Sequence, residues 1–375
     1  MVLRLDPVAD PGLFDLTPTE DQQQLVDVVA ELARERLRPA AAGADDTCAT
    51  PRELLEAGDA LGLAGLGVPE QLGGVGEHRS SVTAVLVAEA LAHGDMGLAV
   101  ALLARAAVAT ALAAWGDETQ QRLLPALSGS GAPVAALALA EPTVLFDALR
   151  PATTAVRRGD RLVLDGAKSL VPRGTEAGLL LVGAMLDERP VLVLVDAPTP
   201  GLSAEPEPAM GLRAAGLSRV ALDGVEVPAD AVLGGDDAPA VYVECLRRSR
   251  LAWCALAVGT GQAVLDHVTP YVKQRHAFGA PIAHRQAVAF AVADLATEIQ
   301  AMRLLTRRAA GRLDLGLDTA REIALARQAC ADHGMRAGST GVQLLGGHGF
   351  VKEHPVERFF RDLRAVGLME GGVLV

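Results

Sequence analysis

The sequence predicts a mostly helical protein with a small β-domain set between two helical ones. Three observations carry this. Residues 17–130 keep the apolar spacing of helices. Between Pro133 and about Gly235 that spacing gives way to short apolar or alternating runs cut by turn signals. Beyond that the helical spacing returns. The expected organisation is an N-terminal helical domain at 1–131, a small antiparallel β-barrel domain at 132–235 and a C-terminal four-helix bundle at 236–375.

Each element has its own warrant. Thr17-Pro18-Thr19-Glu20 reads as a capping box with proline at the first helical position, and Leu25, Val28, Val29 and Leu32 then recur at helical intervals. A second helix is expected from about Arg52 to Leu61, followed by the glycine-rich loop Gln71–Gly76. Ser80 or Ser81 starts a third helix, and Asp117 caps the last one before Gly129. The apolar run Met96–Trp115 is interrupted by Arg105 and reads as a buried helix, with no membrane span expected. Strands are expected at 134–140, 153–158, 161–166, 179–186, 191–196 and 219–222. Arg158-Gly159-Asp160, Pro198-Thr199-Pro200-Gly201 and Asp223-Gly224 supply turns between them. Val288, Val292, Leu295, Ile299, Met302 and Leu305 form a near-heptad seam suited to an antiparallel bundle, and Pro270 predicts a kink in the helix before it.

Composition narrows the function. Of 375 residues half are hydrophobic and 21% charged, which suits a folded chain with sizeable cores. A net charge of -12 and a pI near 5.2 argue against nucleic acid as a partner. Cys48, Cys245, Cys254 and Cys330 have neither disulfide-like nor metal-ligand spacing, so no metal is expected. The cysteines read as reduced thiols of a cytoplasmic protein, and Asp6 and Asp10 stand where an export signal needs an apolar core, so none is expected. Arginines cluster at Arg247, Arg248 and Arg250. Such clusters are usually solvated helix faces, but one can meet a phosphate, and Arg250 is the candidate substrate contact.

The chain is organised around Tyr271–Ile282. Gly279 and Pro281 force a helix to end there, which places Arg275 in a last helical turn, Phe278 in the loop and Gln286 in the first turn of the next helix. A charged fork, an aromatic plate and an amide at one corner suit an anionic, planar, hydrogen-bonding ligand such as a dinucleotide.

Five segments in this order resemble the acyl-CoA dehydrogenase family over nearly the whole chain. They are Leu66-Gly67-Val68-Pro69-Glu70 with Gly73-Gly74-Val75-Gly76; Met210-Gly211-Leu212-Arg213 with Asp223–Pro228; Arg275–Gly279 with Gln286; Gln343–Phe350; and Arg358–Asp362 with Glu370-Gly371. The resemblance implies FAD as cofactor, an acyl-CoA substrate, a trans-2-enoyl-CoA product and an electron-transferring flavoprotein as electron acceptor. It implies Glu370 as the base that removes the α-proton, because a second base position known in some members holds Ser249 here. It also implies a dimer or tetramer in which Arg275, Phe278, Gln286, Gln343, Gly346 and Gly347 reach a neighbouring subunit's FAD. Glycines at 346 and 347 let backbone approach phosphate.

Other segments depart from the family pattern. Where members carry Thr-Glu-Pro-Gly-Ala-Gly-Ser-Asp, this chain has Ala140-Glu141-Pro142-Thr143-Val144-Leu145-Phe146-Asp147. Where they carry Trp-Ile-Thr it has Leu170-Val171-Pro172, and proline offers neither hydroxyl nor N–H. Glu370-Gly371 is followed by Gly372 instead of threonine. In the family these segments meet the subunit's own flavin, so the resemblance implies that contacts to a neighbour's flavin are kept while those to the chain's own flavin are largely lost. The alternative expectation is a flavin-poor partner subunit of a heteromeric acyl-CoA dehydrogenase, donating Arg275, Gln286 and Gln343 to the neighbour. A third is an acyl-CoA-binding relative without redox chemistry.

Overall fold

A computed structural model describes residues 16–76, 79–128, 131–371 and 373–375. Asp6 and Asp10, which carried the expectation about export, lie outside the described residues, as do Gly129 and Gly372.

The first third is helical. Helix α1 (Glu20–Leu32) starts at Thr19, whose hydroxyl accepts from the Gln22 amide while the Gln22 side chain accepts from the Thr19 amide. The capping box is therefore Thr19/Gln22, two residues later than the sequence suggested, and Pro18 stands outside the helix. Glu20 falls instead in the first turn, where its charge complements the helix dipole. A wide turn at Ala33–Leu37 leads into α2 (Arg38–Thr47), and α3 spans Arg52–Ala60. Ser80 caps α4 (Ser81–Gly94) and Asp95 caps α5 (Met96–Trp115). Helix α5 is long and apolar enough to cross a membrane by length and composition, but Met96–Leu112 is buried inside the fold. Arg105 on α5 pairs with Asp59 of α3. Asp117 caps the short α6 (Glu118–Gln121), and α7 follows at Leu124–Leu127.

The middle third is a seven-stranded sheet: β1 (Val134–Ala138), β2 (Thr154–Arg158), β3 (Arg161–Pro172), β4 (Ala177–Leu186), β5 (Arg189–Asp196), β6 (Leu202–Pro206) and β7 (Leu217–Pro228). It is not purely antiparallel. β1 and β2 both pair with β4 in parallel, the remaining pairs are antiparallel, and the path β1-β4-β2-β3-β7-β6 is open, with β5 on β4. Strand pairing is a long-range choice that local alternation does not encode. Asp223-Gly224 is no hairpin: β7 runs through it, with the Gly224 amide donating to Asp165.

The last third is α8 (Ala238–Gln274), α9 (Gln286–Asp314), α10 (Ala320–Leu345) and α11 (Val356–Leu363), with the two-residue strands β8 (His276–Ala277) and β9 (Ala280–Pro281) between α8 and α9. Leu295, Ile299 and Met302 of the expected seam are fully buried, while Val288, Val292 and Leu305 are partly buried beside them. The fourth helix, α11, has only eight residues, and α4 of the first third packs against α8 and α9 as well. Helix α8 passes through Pro270 without interruption.

Candidate functional site

The corner after α8 is built differently from the simple helix stop read from sequence. Helix α8 ends at Gln274, and Arg275 is already extended (ψ 120°) just beyond the last turn. Gly279 is left-handed, but as part of a tight β8–β9 hairpin turn in which Phe278 is left-handed too, at φ 54° and 80°. A bulky residue with positive φ is uncommon, and this one leaves its ring 95% exposed, with Arg285 stacked 5.7 Å from the centroid. Strain held at an exposed aromatic points to a partner for that aromatic.

Arg275, Phe278, Gln343, Gly346 and Gly347 line one cleft of about 1470 Å³, together with Tyr271 and His348. Among the described residues the Arg275 guanidinium has no protein partner. Gly346 sits at φ 58° and ψ -132°, a conformation open to glycine, and a Cβ on Gly346 or Gly347 would meet no atom of this chain within 4 Å. The space over both glycines is free for a ligand. Gln286 begins α9 beside the cleft but is not on its wall. Tyr271 donates to Leu345 O at 3.2 Å and ties the two sides of the cleft together.

Glu370 lies elsewhere, 6% exposed. Arg250 Nε of α8 donates to its Oε2 at 2.9 Å, and Arg327 of α10 closes on Oε1. Next to it, Trp253 Nε1 donates to Gly371 O at 3.0 Å. Arg250 and Arg327 also border a cleft of about 530 Å³ with Leu149, Leu246 and Ile323. Ser249 is fully buried, and its hydroxyl has no partner among the described residues. Arg327 was missed from sequence. The available signal was its place among small residues on α10, with Ala324 and Ala331 on the same face.

The two divergent segments have explicit structures. Glu141 is buried and accepts from Lys168 Nζ at 2.7 Å, from the Thr153 amide and hydroxyl, and from the Ala152 amide. Burial pushes its carboxyl up, but Lys168 and Thr153 outweigh that and hold it below the usual range; burial pulls Lys168 down to about 8. Val144 and Leu145 project into solvent, 94% and 95% exposed. Glu207 accepts from the Ser169 hydroxyl and the Leu170 amide, so both groups are already engaged. Pro172 pairs with Leu217 at the end of β3.

Comparison with known proteins shows the family of the chain as a whole. The acyl-CoA dehydrogenase N-terminal, middle and C-terminal domain families match residues 19–130, 136–225 and 240–372. The chain is 33% identical to cyclohex-1-ene-1-carbonyl-CoA dehydrogenase of Geobacter metallireducens over 362 residues, covering 94% of this chain and 95% of that protein. It is 31% identical to an acyl-CoA dehydrogenase of Bacillus subtilis with the same coverage. Among solved structures, butyryl-CoA dehydrogenase from Megasphaera elsdenii superposes with a TM-score of 0.87 at 28% identity, covering 95% of each chain. A chain in the structure of the electron transferring flavoprotein of Acidaminococcus fermentans gives 0.87 at 31%, covering 95% of this chain and 96% of that one. The protein belongs to the FAD-dependent acyl-CoA dehydrogenase family.

Proposed function

We propose that the chain removes the α-proton of an acyl-CoA thioester with Glu370 while a hydride leaves Cβ, giving a trans-2-enoyl-CoA. One observation carries the assignment of the base: Glu370 is a buried carboxylate whose two oxygens are oriented by Arg250 and Arg327, beside a cleft. A thioester α-proton is weakly acidic, so a shielded and fixed carboxylate suits its removal. To reach the α-carbon, Glu370 must give up one of its guanidinium donors, and Arg250 then keeps it oriented. FAD supplies the hydride acceptor when bound.

Arg275, Phe278, Gln343, Gly346 and Gly347 fit the adenine and pyrophosphate part of that cofactor: unpaired donors and an exposed ring surround open space over two glycines. The ring and guanidinium face outward, and we assign them to a neighbouring subunit's FAD in a dimer or a tetramer of dimers. Electron-transferring flavoprotein is the proposed acceptor, and the four free thiols suit a reducing compartment, the cytoplasm.

A second reading has its own observation. Val144 and Leu145 expose apolar side chains where the family pattern is small and polar, and Ser169 and Leu170 are engaged by Glu207. This favours a chain that holds its own flavin poorly and serves a partner subunit's. Incubating the purified chain, with and without added FAD, with saturated acyl-CoAs and an artificial acceptor tests both readings. Enoyl-CoA formation by the chain alone supports the first, and its absence at saturating FAD refutes it.

A further inference from the structure

The glycine loop beside the cleft carries an imidazole whose hydrogen positions follow from its partner. His348 is exposed and lines the cleft with Arg275, Gly346 and Gly347. The Tyr271 hydroxyl stands 3.2 Å from Leu345 O and 3.2 Å from His348 Nδ1. A hydroxyl has a single hydrogen and a carbonyl can only accept, so that hydrogen goes to Leu345. The second contact is then a hydrogen bond only if His348 Nδ1 carries a hydrogen and donates it to the tyrosine oxygen. In a neutral imidazole this leaves Nε2 bare, an acceptor with no partner among the described residues.

The surroundings of His348 decide where an added proton goes. The rings of Tyr271 and His354 pack edge-on against it, with centroids 6.2 and 5.8 Å away. His354 Nδ1 lies 3.0 Å from His267 Nε2 of α8, a contact that needs one of the two nitrogens bare. Burial, His354 and the Arg38 charge hold His267 below the usual imidazole range, so His267 resists taking a proton. On the cleft wall, Arg275 from α8 and Arg285 before α9 disfavour a further cation, while Glu353 beside His354 favours one. Lys352 pairs with Asp46 instead. These influences oppose one another in the free cleft, and the negative charge of a bound diphosphate tips them towards imidazolium.

We infer that His348 is a further cofactor-binding residue, which takes up a proton when the diphosphate of a neighbouring subunit's FAD enters the cleft and then donates from Nε2 to a phosphate oxygen. This rests on the assignment of the cleft to FAD and adds a pH dependence to it. The bound state holds the proton more tightly than the free state. Affinity is therefore greatest in mild acid and falls as pH rises through the imidazole range. Above that range the bare Nε2 turns a lone pair towards the phosphate and the contact weakens.

The test is calorimetry of ADP-ribose binding to the full chain, freed of any flavin, in buffers of different ionisation enthalpy from about pH 6 to 8. ADP-ribose carries the adenine and diphosphate of FAD, and its diphosphate does not titrate in that interval. The expected result is uptake of a fraction of a proton per ligand near neutrality. Binding should be about tenfold weaker at the upper end of the interval than at the lower, the worth of one charge-assisted hydrogen bond. His348→Asn should abolish the uptake and flatten the profile at the parent's weaker level. Tyr271→Phe frees the tautomer, so a neutral His348 can donate from Nε2 and the profile becomes shallower than the parent's. Proton uptake that survives in His348→Asn overturns the inference, and so does a Tyr271→Phe profile as steep as the parent's. If ADP-ribose binds none of the proteins, the assignment of the cleft to FAD falls as well; if it binds without proton uptake, only this inference does.

Discussion

Arg250 Nε stands 2.9 Å from Glu370 Oε2, so a guanidinium from the long helix α8 fixes the carboxylate proposed to do the chemistry. Glu370 is mostly buried and Arg250 about a third exposed, which makes the contact more than a surface ion pair. Arg250→Ala is expected to destabilise the chain by about 1–3 kcal/mol, since it leaves a buried carboxylate with Arg327 alone. Denaturant titration checks this, and a change confined to a few tenths of a kcal/mol contradicts the pairing.

Glu141 and Lys168 carry a larger stake. Their side chains are 1% and 0% exposed and make one ion pair inside the sheet domain. Lys168→Met alone strands the carboxylate and is expected to cost about 3–5 kcal/mol, whereas the double change Glu141→Gln/Lys168→Met costs clearly less. Thermal melts of the two variants and the parent decide it. Equal losses would show that the pair is not coupled.

The same pair sets a pH dependence. The folded-state carboxyl of Glu141 is held below its ordinary 4.5. Its contribution is therefore fully present above that value and is lost as pH falls through the lower folded value. In acid unfolding curves the parent should lose stability more steeply below about pH 4.5 than Glu141→Gln/Lys168→Met does. Parallel curves over that interval count against this.

Flavin retention separates the homomeric reading from the partner-subunit reading. Each lost charge-assisted or buried hydrogen bond is worth about 1.5–3 kcal/mol, roughly tenfold or more in affinity, and the Val144–Leu145 and Leu170–Pro172 segments remove two or three. The chain purified alone is expected to carry well under one FAD, with Arg275→Ala harming retention chiefly in a complex with an intact partner. A yellow homo-oligomer with one FAD per chain through gel filtration contradicts this, and a stable monomer at micromolar concentration contradicts both readings.

Much of the fold was legible because its signals are local. The seam on α9, the caps at Ser80 and Asp117 and the buried run on α5 each follow from residues close in sequence. What sequence missed is long-range or unpatterned. Parallel pairing of β1 with β4 leaves no local trace, and β6 is mostly exposed with no apolar alternation to mark it. The corner residues and Glu370 were singled out as candidates through motifs, but the left-handed turn at Phe278 was not foreseen, since aromatic residues rarely sit there. Arg327 belongs to no motif; only the packed structure brings it to Glu370.

The most direct test of the proposed chemistry is Glu370→Gln in a flavin-loaded protein, with an intact partner subunit supplied if the chain needs one. Glutamine keeps the shape and the contact with Arg250 but cannot accept the α-proton. Anaerobic mixing with an acyl-CoA should bleach the flavin's visible band in the parent, and the variant should do so slower by orders of magnitude with its flavin still bound. Bleaching at the parental rate would mean that Glu370 is not the base.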